Sequence, residues 1–328
     1  MTTDLEKADS IIAALTKKFG KDIAVKANEL VEKEVEVLSI SPNVDIGLNG
    51  GIPKGCIAVL SGKPKIGKTT TILHMAKKAQ EAGNFVYYIN AEARLKKRDI
   101  LGIPGIDANK IVVIEATPDK VLTAEDFLNI AEGIFKDHEG AVVLFDSLSA
   151  ICSMKEGTDE LTGQARNLGP KLIASFLRRS SQIIKVNKIS FVAIQHLIAN
   201  TSGYGAAFLE DGGNKIMYAA ETKMRATKME KWKVGEEQIG QITEWEVIFS
   251  ALGPPGRKAR SYIRYGQGID EVAEVVDLAL DFGLIDKSGA WFKYGEDKLQ
   301  GKEKLLEFFK SSEEKFEELK TTVRDMTI

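Results

Sequence analysis

The stretch Gly62-Lys63-Pro64-Lys65-Ile66-Gly67-Lys68-Thr69-Thr70 carries every fixed residue of the phosphate-loop pattern G-x-x-x-x-G-K-[ST]. Each residue type has a physical task. Gly62 and Gly67 let the backbone turn tightly, so that successive N–H groups point inward at phosphate oxygens. Lys68 offers a point charge to the β- and γ-phosphates of a nucleotide, and Thr69 a hydroxyl to Mg2+. Residues 57–60 form a short apolar run that reads as a buried strand, and residues 70–79 read as a helix whose N-terminus faces the phosphates. A glycine turn without a ligand is the bland alternative, and the complete pattern in this context argues against it.

Three further strand ends complete the chemistry. Asp146 closes the apolar run 141–145, and a carboxylate at the end of such a strand lies where ligands bind in open α/β sheets. There it would hold Mg2+ through water beside Thr69. Glu92 follows the run 85–89, where a carboxylate can orient and deprotonate an attacking water. Gln195 and His196 end the run 189–194 and open a long loop. A polar side chain there can hydrogen-bond the γ-phosphate and move the loop when nucleotide binds. A shift of one residue exchanges the two, so either can hold that role.

A sheet is needed to bring these ends together. The runs at 57–60, 85–89, 111–114, 141–145 and 189–194 alternate with helical stretches such as 124–135 and 172–186. Alternation of this kind implies a parallel sheet with helices on both faces. Residues 197–214 hold four glycines and no period, as a long functional loop would. Residues 243–251 and 259–265 read as a hairpin around Gly253-Pro254-Pro255-Gly256. An amphipathic helix is expected at 5–19, a helical C-terminal module from Ile269 with a small strand at 291–294, and a solvated amphipathic helix at 302–320. The expected division is an N-terminal helix and connector at 1–39, an α/β core at 40–268 and a small domain at 269–328.

The chain has 328 residues, 44% hydrophobic, and a formal net charge of −2. One large α/β domain with smaller appendages fits that length. The charge excludes nucleic-acid binding driven by a global positive field and leaves a local surface for it. Cys56 and Cys152 sit beside apolar runs and read as core residues, not as a disulfide or metal site. The N-terminus lacks a basic-then-apolar signal, and no apolar run is long enough to span a bilayer, so a cytoplasmic chain with no membrane partner is expected.

In order along the chain come the segment 40–55, the phosphate loop, Asn90-Ala91-Glu92, Phe145-Asp146-Ser147, Gln195-His196, Gly212-Gly213-Asn214, Tyr265-Gly266-Gln267-Gly268-Ile269 and Gly289-Ala290-Trp291-Phe292. With these the chain resembles the RecA family of recombinases over nearly its whole length, especially the versions carried by bacteriophages. The resemblance implies an α/β fold: a RecA-like phosphate-loop ATPase core with a mostly parallel central sheet, an N-terminal oligomerisation helix and a small α+β C-terminal domain. It implies a DNA-dependent ATPase, with ATP and Mg2+ as cofactors, that polymerises on single-stranded DNA. The resulting helical filament pairs that strand with homologous double-stranded DNA and exchanges strands. The partners it implies are DNA, further copies of the chain and, for loading, a mediator or single-strand-binding protein.

The same resemblance implies two DNA-facing loops, at about 155–169 and 197–213. Gly212, Gly213 and Asn214 match an element that contacts the DNA backbone, where glycine N–H groups can approach phosphates. Arg178 is the first implied side-chain contact and Lys171 the next, with Arg179 either a contact or an exposed helix charge. The second loop carries Glu210 and Asp211 rather than basic residues, so apolar Phe208 and backbone amides would meet the strand. The N-terminal helix would dock on a neighbouring subunit, although its apolar stripe could equally pack on its own core.

The chain departs from its relatives at several points. Pro64 and Lys65 replace the usual acidic residue and serine, and Pro64 removes a backbone donor. Cellular relatives place two lysines across the subunit interface, whereas the matching strand 247–252 has none. Transition-state stabilisation by the neighbour is then lost, or passes to Arg257, Lys258 or Arg260. No adenine-stacking aromatic occurs at 94–99. A ring-forming motor such as a helicase, a non-hydrolytic ATP-gated DNA-binding scaffold and a small-molecule kinase stay open as alternatives.

Overall fold

The computed structural model describes residues 3–31, 34–151, 168–200, 207–210 and 215–327. The chain forms two units, residues 1–36 and 37–328. The first holds α1 (Asp4–Phe19) and α2 (Ala27–Val31). A capping box starts α1: the Glu6 N–H donates to the Thr3 hydroxyl at 3.3 Å and the Thr3 N–H to the Glu6 carboxylate at 2.7 Å. Acids in the first turn and lysines in the last complement the helix dipole. No residue of α1 is buried, and Leu5, Ile11 and Phe19 are exposed. A helix of this length with an uncovered apolar stripe is marginal alone in water.

The second unit begins with β1 (Val37–Leu38), α3 (Pro42–Leu48), β2 (Ile52–Pro53), β3 (Ile57–Gly62), α4 (Lys68–Glu81) and β4 (Val86–Asn90). Next come α5 (Lys97–Leu101), β5 (Ile111–Ile114), α6 (Ala124–Asp137), β6 (Val142–Asp146), α7 (Leu168–Val186), β7 (Ser190–Ala199) and β8 (Phe208–Glu210). The core closes with α8 (Lys215–Ala219), β9 (Thr222–Val234), β10 (Glu237–Phe249), β11 (Lys258–Arg264) and β12 (Gly268–Ile269). β1 and β2 pair as a sheet of their own, and β3 to β12 lie in one sheet in the order β12, β11, β10, β9, β3, β7, β6, β4, β5, with β8 added to β7. From β9 to β5 neighbours run parallel, and from β9 to β12 antiparallel. The sheet is thus mostly parallel around the phosphate loop, as expected.

Side-chain alternation along β3 and β6 sorts the core into two layers. Ala58, Leu60, Val142 and Leu144 pack with Ile72, Met75 and Tyr88 on one face. Ile57, Val59, Val143 and Phe145 pack with Phe135, Phe176 and Phe191 on the other. Cys56 belongs to the first layer, and burial pushes its thiol up to about 12, which fits an inert core residue. Cys152 lies outside the described residues.

Two elements differ from the sequence reading. The strand expected to stop at Ile194 runs on to Ala199, because β8 pairs with its far half, Leu197 opposite Glu210 and Ala199 opposite Phe208. Gln195 and His196 therefore lie inside a strand, not at its end. The hairpin of β10 and β11 is present, but β10 starts at Glu237 and pairs along its length with β9, which the charged run 227–233 conceals in the sequence.

After β12 follow α9 (Glu271–Asp281), the antiparallel strands β13 (Asp286–Ser288), β14 (Trp291–Tyr294) and β15 (Asp297–Gln300), then α10 (Lys302–Ser311) and α11 (Glu313–Asp325). The single solvated helix expected at 302–320 is two helices, because Ser312 leaves helical geometry and caps α11. Leu305, Leu306, Phe309 and Leu319 bury their side chains against Phe292, Val276 and Tyr262.

Buried carboxylates join this small domain to the core. Glu274 of α9, fully buried, accepts from the Ser41 hydroxyl at 3.1 Å and the Asn43 N–H at 3.0 Å at the start of α3. Asp45 of α3 accepts from the Ile40 N–H at 2.8 Å and from the Ser39 hydroxyl. Burial raises Glu274 to about 8 and Asp45 to about 7, and the neighbouring Glu271 adds to both. Lys78 and His74 face the cluster through Glu271, Lys78 at 2.6 Å and His74 at 3.2 Å. Raised acids stabilise the fold fully below their unfolded values, and that contribution is lost as pH rises through the folded ones. Denaturant unfolding should therefore show stability falling as pH rises from about 5 to about 8, and Glu274→Gln should flatten the fall. A wild-type curve that rises over this range rules the account out.

Candidate active site

Strand register sets the site. Gly62 of β3 lies opposite His196 of β7, and Asn90 of β4 opposite Asp146 of β6. The carboxyl ends of β3, β4 and β6 thus deliver the loop glycine, Asn90 and Asp146 to one edge, and β7 brings His196 level with them before running on. The loop from Gly62 to Lys68 needs its glycines. Gly67 has φ +104, and a Cβ there would stand 2.4 Å from Ile263 Cδ1. A Cβ on Gly62 would meet Ala226 Cβ and Ile66 Cγ2 at 3.0 Å. Ile66 is buried in the core, and its carbonyl accepts from the Thr243 hydroxyl at 2.8 Å.

Lys68 Nζ donates to the carbonyls of Gly62 and Lys63, each at 2.8 Å. Burial lowers Lys68 to about 8, while Asp146 and Glu92 pull the other way. The Thr69 and Tyr88 hydroxyls both donate to Asp146 Oδ2, at 2.8 and 2.7 Å. Burial raises Asp146 despite these two donors, and raises Tyr88 as well. Beside this pair, Glu92 Oε1 accepts from the Ser147 hydroxyl at 2.8 Å and from His196 Nε2, which must carry the proton because an ionised carboxylate only accepts. The His196 hydrogen bond, with help from Ser147 and Arg94, lowers Glu92 to about 2 against the effect of burial. His196 Nδ1 is buried without a partner among the described residues.

Lys68, Thr69, Glu92, Asp146 and His196 line one cavity of about 430 Å³, together with Pro64, Lys65, Gly67 and Thr70. That volume suits a nucleotide. Its far end is apolar and brings Leu73, Leu95 and Ile103 together with Tyr265 and Gly266. Residues 94–99 bring no aromatic to this cavity, and the turn between β11 and β12 brings Tyr265. Sequence reasoning held the Tyr265-Gly266-Gln267-Gly268 motif and gave it no role. Gln195 is not part of this lining. Its side chain is fully buried on the opposite face of β7 and accepts from Lys223 Nζ at 3.4 Å. Alternation along β7 therefore assigns the pocket-facing position to His196 and not to Gln195. Among the described residues no cluster of three or more His, Cys, Asp or Glu side chains could hold a metal alone. The oxygen donors of Thr69 and Asp146 match Mg2+ bound chiefly through nucleotide phosphates.

Away from the pocket, Lys171, Ser175, Arg178, Ser181 and Tyr218 surround a cavity of about 680 Å³ between α7 and α8. Arg179 does not line this cavity and pairs with Glu132 of α6 at 2.6 Å. Phe208 is partly exposed, and Lys63 Nζ stands 4.1 Å from its ring centroid. Gly212, Gly213, Asn214, Asp211 and most of both expected loops lie outside the described residues. Glu210 is nearly enclosed. It pairs with the fully buried Lys223, and at 2.9 Å with Arg225, both on β9. Burial would raise Glu210, but the two cations outweigh it and lower it. Arg257 donates to the Ile46 carbonyl at 3.3 Å, Lys258 to Glu244 at 3.0 Å, and Arg260 stands 3.8 Å from Asp277. All three candidate replacements for interface lysines are engaged within their own chain.

A loop that cradles phosphates, a carboxylate beside a hydroxyl for Mg2+, and a second carboxylate for water define a phosphate-loop nucleoside triphosphatase. The RecA N-terminal domain matches residues 6–270, and the RecA C-terminal domain residues 273–327. Protein RecA of Geobacter sulfurreducens is 30% identical over 332 residues, covering 99% of this chain and 96% of that protein. Protein RecA of Kineococcus radiotolerans is 29% identical over 328 residues, covering 98% and 92%. Protein RecA of Nitratiruptor sp. is 30% identical, covering 99% and 94%. The chain belongs to the RecA family. It is accordingly a recombinase with DNA-dependent ATPase activity.

The Glu210 pair yields a test. Glu210→Gln leaves Lys223 charged in the core without its counter-ion, which should cost about 3–5 kcal/mol in urea unfolding. Adding Lys223→Met should recover part of that loss. A Glu210→Gln loss below about 0.5 kcal/mol would refute the buried pairing.

Proposed function

We propose that this chain hydrolyses ATP at the cavity edge as a filament on single-stranded DNA, and in that state pairs the strand with homologous duplex. The observation that carries this reading is the convergence of Lys68, Thr69, Asp146, Glu92 and His196 on one cavity, set by the register of β3, β4, β6 and β7. Lys68 and the loop N–H groups hold the β- and γ-phosphates. Thr69 and Asp146 hold Mg2+, which neutralises phosphate charge when bound. Glu92 accepts a hydrogen bond from the attacking water and fixes its direction. A carboxylate held at about 2 is a weak base, so orienting outweighs proton removal in its role. His196 steadies Glu92 by donating to it from Nε2. Tyr265 and the apolar end take the adenine.

Lys171 and Arg178 contact DNA phosphates, with Gly212, Gly213 and Asn214 as backbone contacts and Phe208 as an apolar one. The exposed stripe of α1 docks on the next copy, which supports the division into an N-terminal assembly segment, a core and a small C-terminal domain. A mediator or single-strand-binding protein assists loading. The protein acts in the cytoplasm as a bacteriophage-type member, a reading supported by the resemblance of its ordered motifs. The domain matches across both core and C-terminal module leave little room for a small-molecule kinase.

ATP hydrolysis with and without single-stranded DNA of increasing length tests this reading. Turnover should rise with DNA length, fall steeply with salt, and vanish in Lys68→Ala. Glu92→Gln should lower turnover by about 10²–10⁴-fold while ADP binding persists. Hydrolysis indifferent to DNA would remove the filament reading, and none at all would favour the ATP-gated scaffold.

A further inference from the structure

Arg94 has no part in the mechanism so far. It lines the cavity with Lys68, Thr69 and Glu92, and its Nη1 stands 3.1 Å from Glu92 Oε2. His196 and Ser147 use the other oxygen of that carboxylate. The turn that carries Arg94 is built to bring it there. Asn90 Oδ1 accepts from the N–H groups of Arg94 and Leu95 at 3.2 and 3.4 Å. Asn90 Nδ2 in turn donates to Glu115 at 2.6 Å. Ala93 takes φ +50, a left-handed conformation uncommon for a residue with a Cβ. The chain thereby folds Arg94 back over Glu92, two residues before it. The guanidinium is 80% exposed, so it can swing from Glu92 onto a bound ligand.

Hydrolysis gathers negative charge on the transferring phosphoryl group and on the leaving oxygen, and cations placed there stabilise the transition state above the ground state. The strand 247–252 has no lysine to offer across an interface. Arg257, Lys258 and Arg260 are engaged within their own chain. Arg94 is a permanent cation on the side from which water attacks. We infer that Arg94 supplies, from the same chain as the phosphate loop, the positive charge that stabilises the phosphoryl group in transfer. This rests on the ATPase reading above. In the step, the water oxygen bonds to the γ-phosphorus while the bond from that phosphorus to the bridging oxygen breaks. The bonding pair stays on ADP, and the water proton ends on the released phosphate. Arg94 moves from Glu92 to the phosphoryl oxygens and neither gains nor loses a proton.

The test uses the full chain on single-stranded DNA, with Arg94→Ala and Arg94→Lys. Two quantities are read: DNA-stimulated turnover, and affinity for ADP with Mg2+ and aluminium fluoride against affinity for ADP alone. Arg94→Ala should lower turnover by about 10²-fold and remove the extra affinity for the aluminium fluoride complex, with ADP affinity within about threefold. Arg94→Lys should recover part of both. The proposal is overturned if Arg94→Ala keeps the extra affinity and turns over within about threefold of the unaltered chain. It is also overturned if the variant shifts the acid limb of the pH–rate profile upward while keeping that affinity, since Arg94 would then only steady Glu92. Absence of DNA-stimulated turnover in the unaltered chain overturns the ATPase reading itself. That outcome is distinct from a missing Arg94 effect in an active chain.

Discussion

Asp146 is a carboxylate at the buried end of the central strand, and the nucleotide edge is arranged around its need for donors. A buried carboxylate without partners is costly, and here two hydroxyls from different elements converge on one oxygen. Tyr88 reaches it from β4, inside the sheet. Thr69 reaches it from the first turn of α4, which fixes how the phosphate loop meets the sheet. The second oxygen is left to a cation or water. Because Asn90 is paired with Asp146 in register, Glu92 emerges beside the same carboxylate, and Ser147 is close enough to donate to it. One desolvated acid thus ties the phosphate loop, the Glu92 carboxylate and two strands into a single geometry.

A second buried charge organises the opposite face. Lys223 lies on β9, next to the strand that leads into the phosphate loop, and is fully enclosed. Its counter-ion comes from Glu210 on β8, so the stem of the second loop is held to the sheet by an ion pair that water barely reaches. This changes the electrostatic reading of that loop. The Glu210 charge is neutralised in the fold, and the stem presents Phe208, with Lys63 of the phosphate loop over its ring.

The parts legible in the sequence are those set by local rules. The phosphate loop declares itself through glycines that the backbone requires, and β3, β4 and β6 through apolar runs buried on both faces. Asp146 and Glu92 follow from their place after such runs. What the sequence hides depends on partners distant along the chain. The extension of β7 to Ala199 exists because β8 pairs with it, and β9 is a strand despite its lysines because β3 and β10 flank it. Arg179 reads as a free helix charge until Glu132 of α6 is beside it. Tyr265 reaches the cavity only through the turn that closes β11.

The choice between Gln195 and His196 shows what a strand adds to a pattern. As neighbours in β7 they must point to opposite faces, so they serve different sites and do not compete for one. His196 meets Glu92 in the nucleotide cavity, and Gln195 meets Lys223, the cation that anchors the second loop. One backbone carries both. Any displacement of β7 at His196 is shared by Gln195, and through Lys223 it reaches Glu210 on the loop stem. Lys63 adds a second connection, since its carbonyl accepts from Lys68 while its ammonium lies over Phe208. The nucleotide pocket and the loop stem are therefore joined by contiguous packed and charged contacts. A phosphate that draws Lys68 away from the Lys63 carbonyl acts on the residue that also holds Phe208.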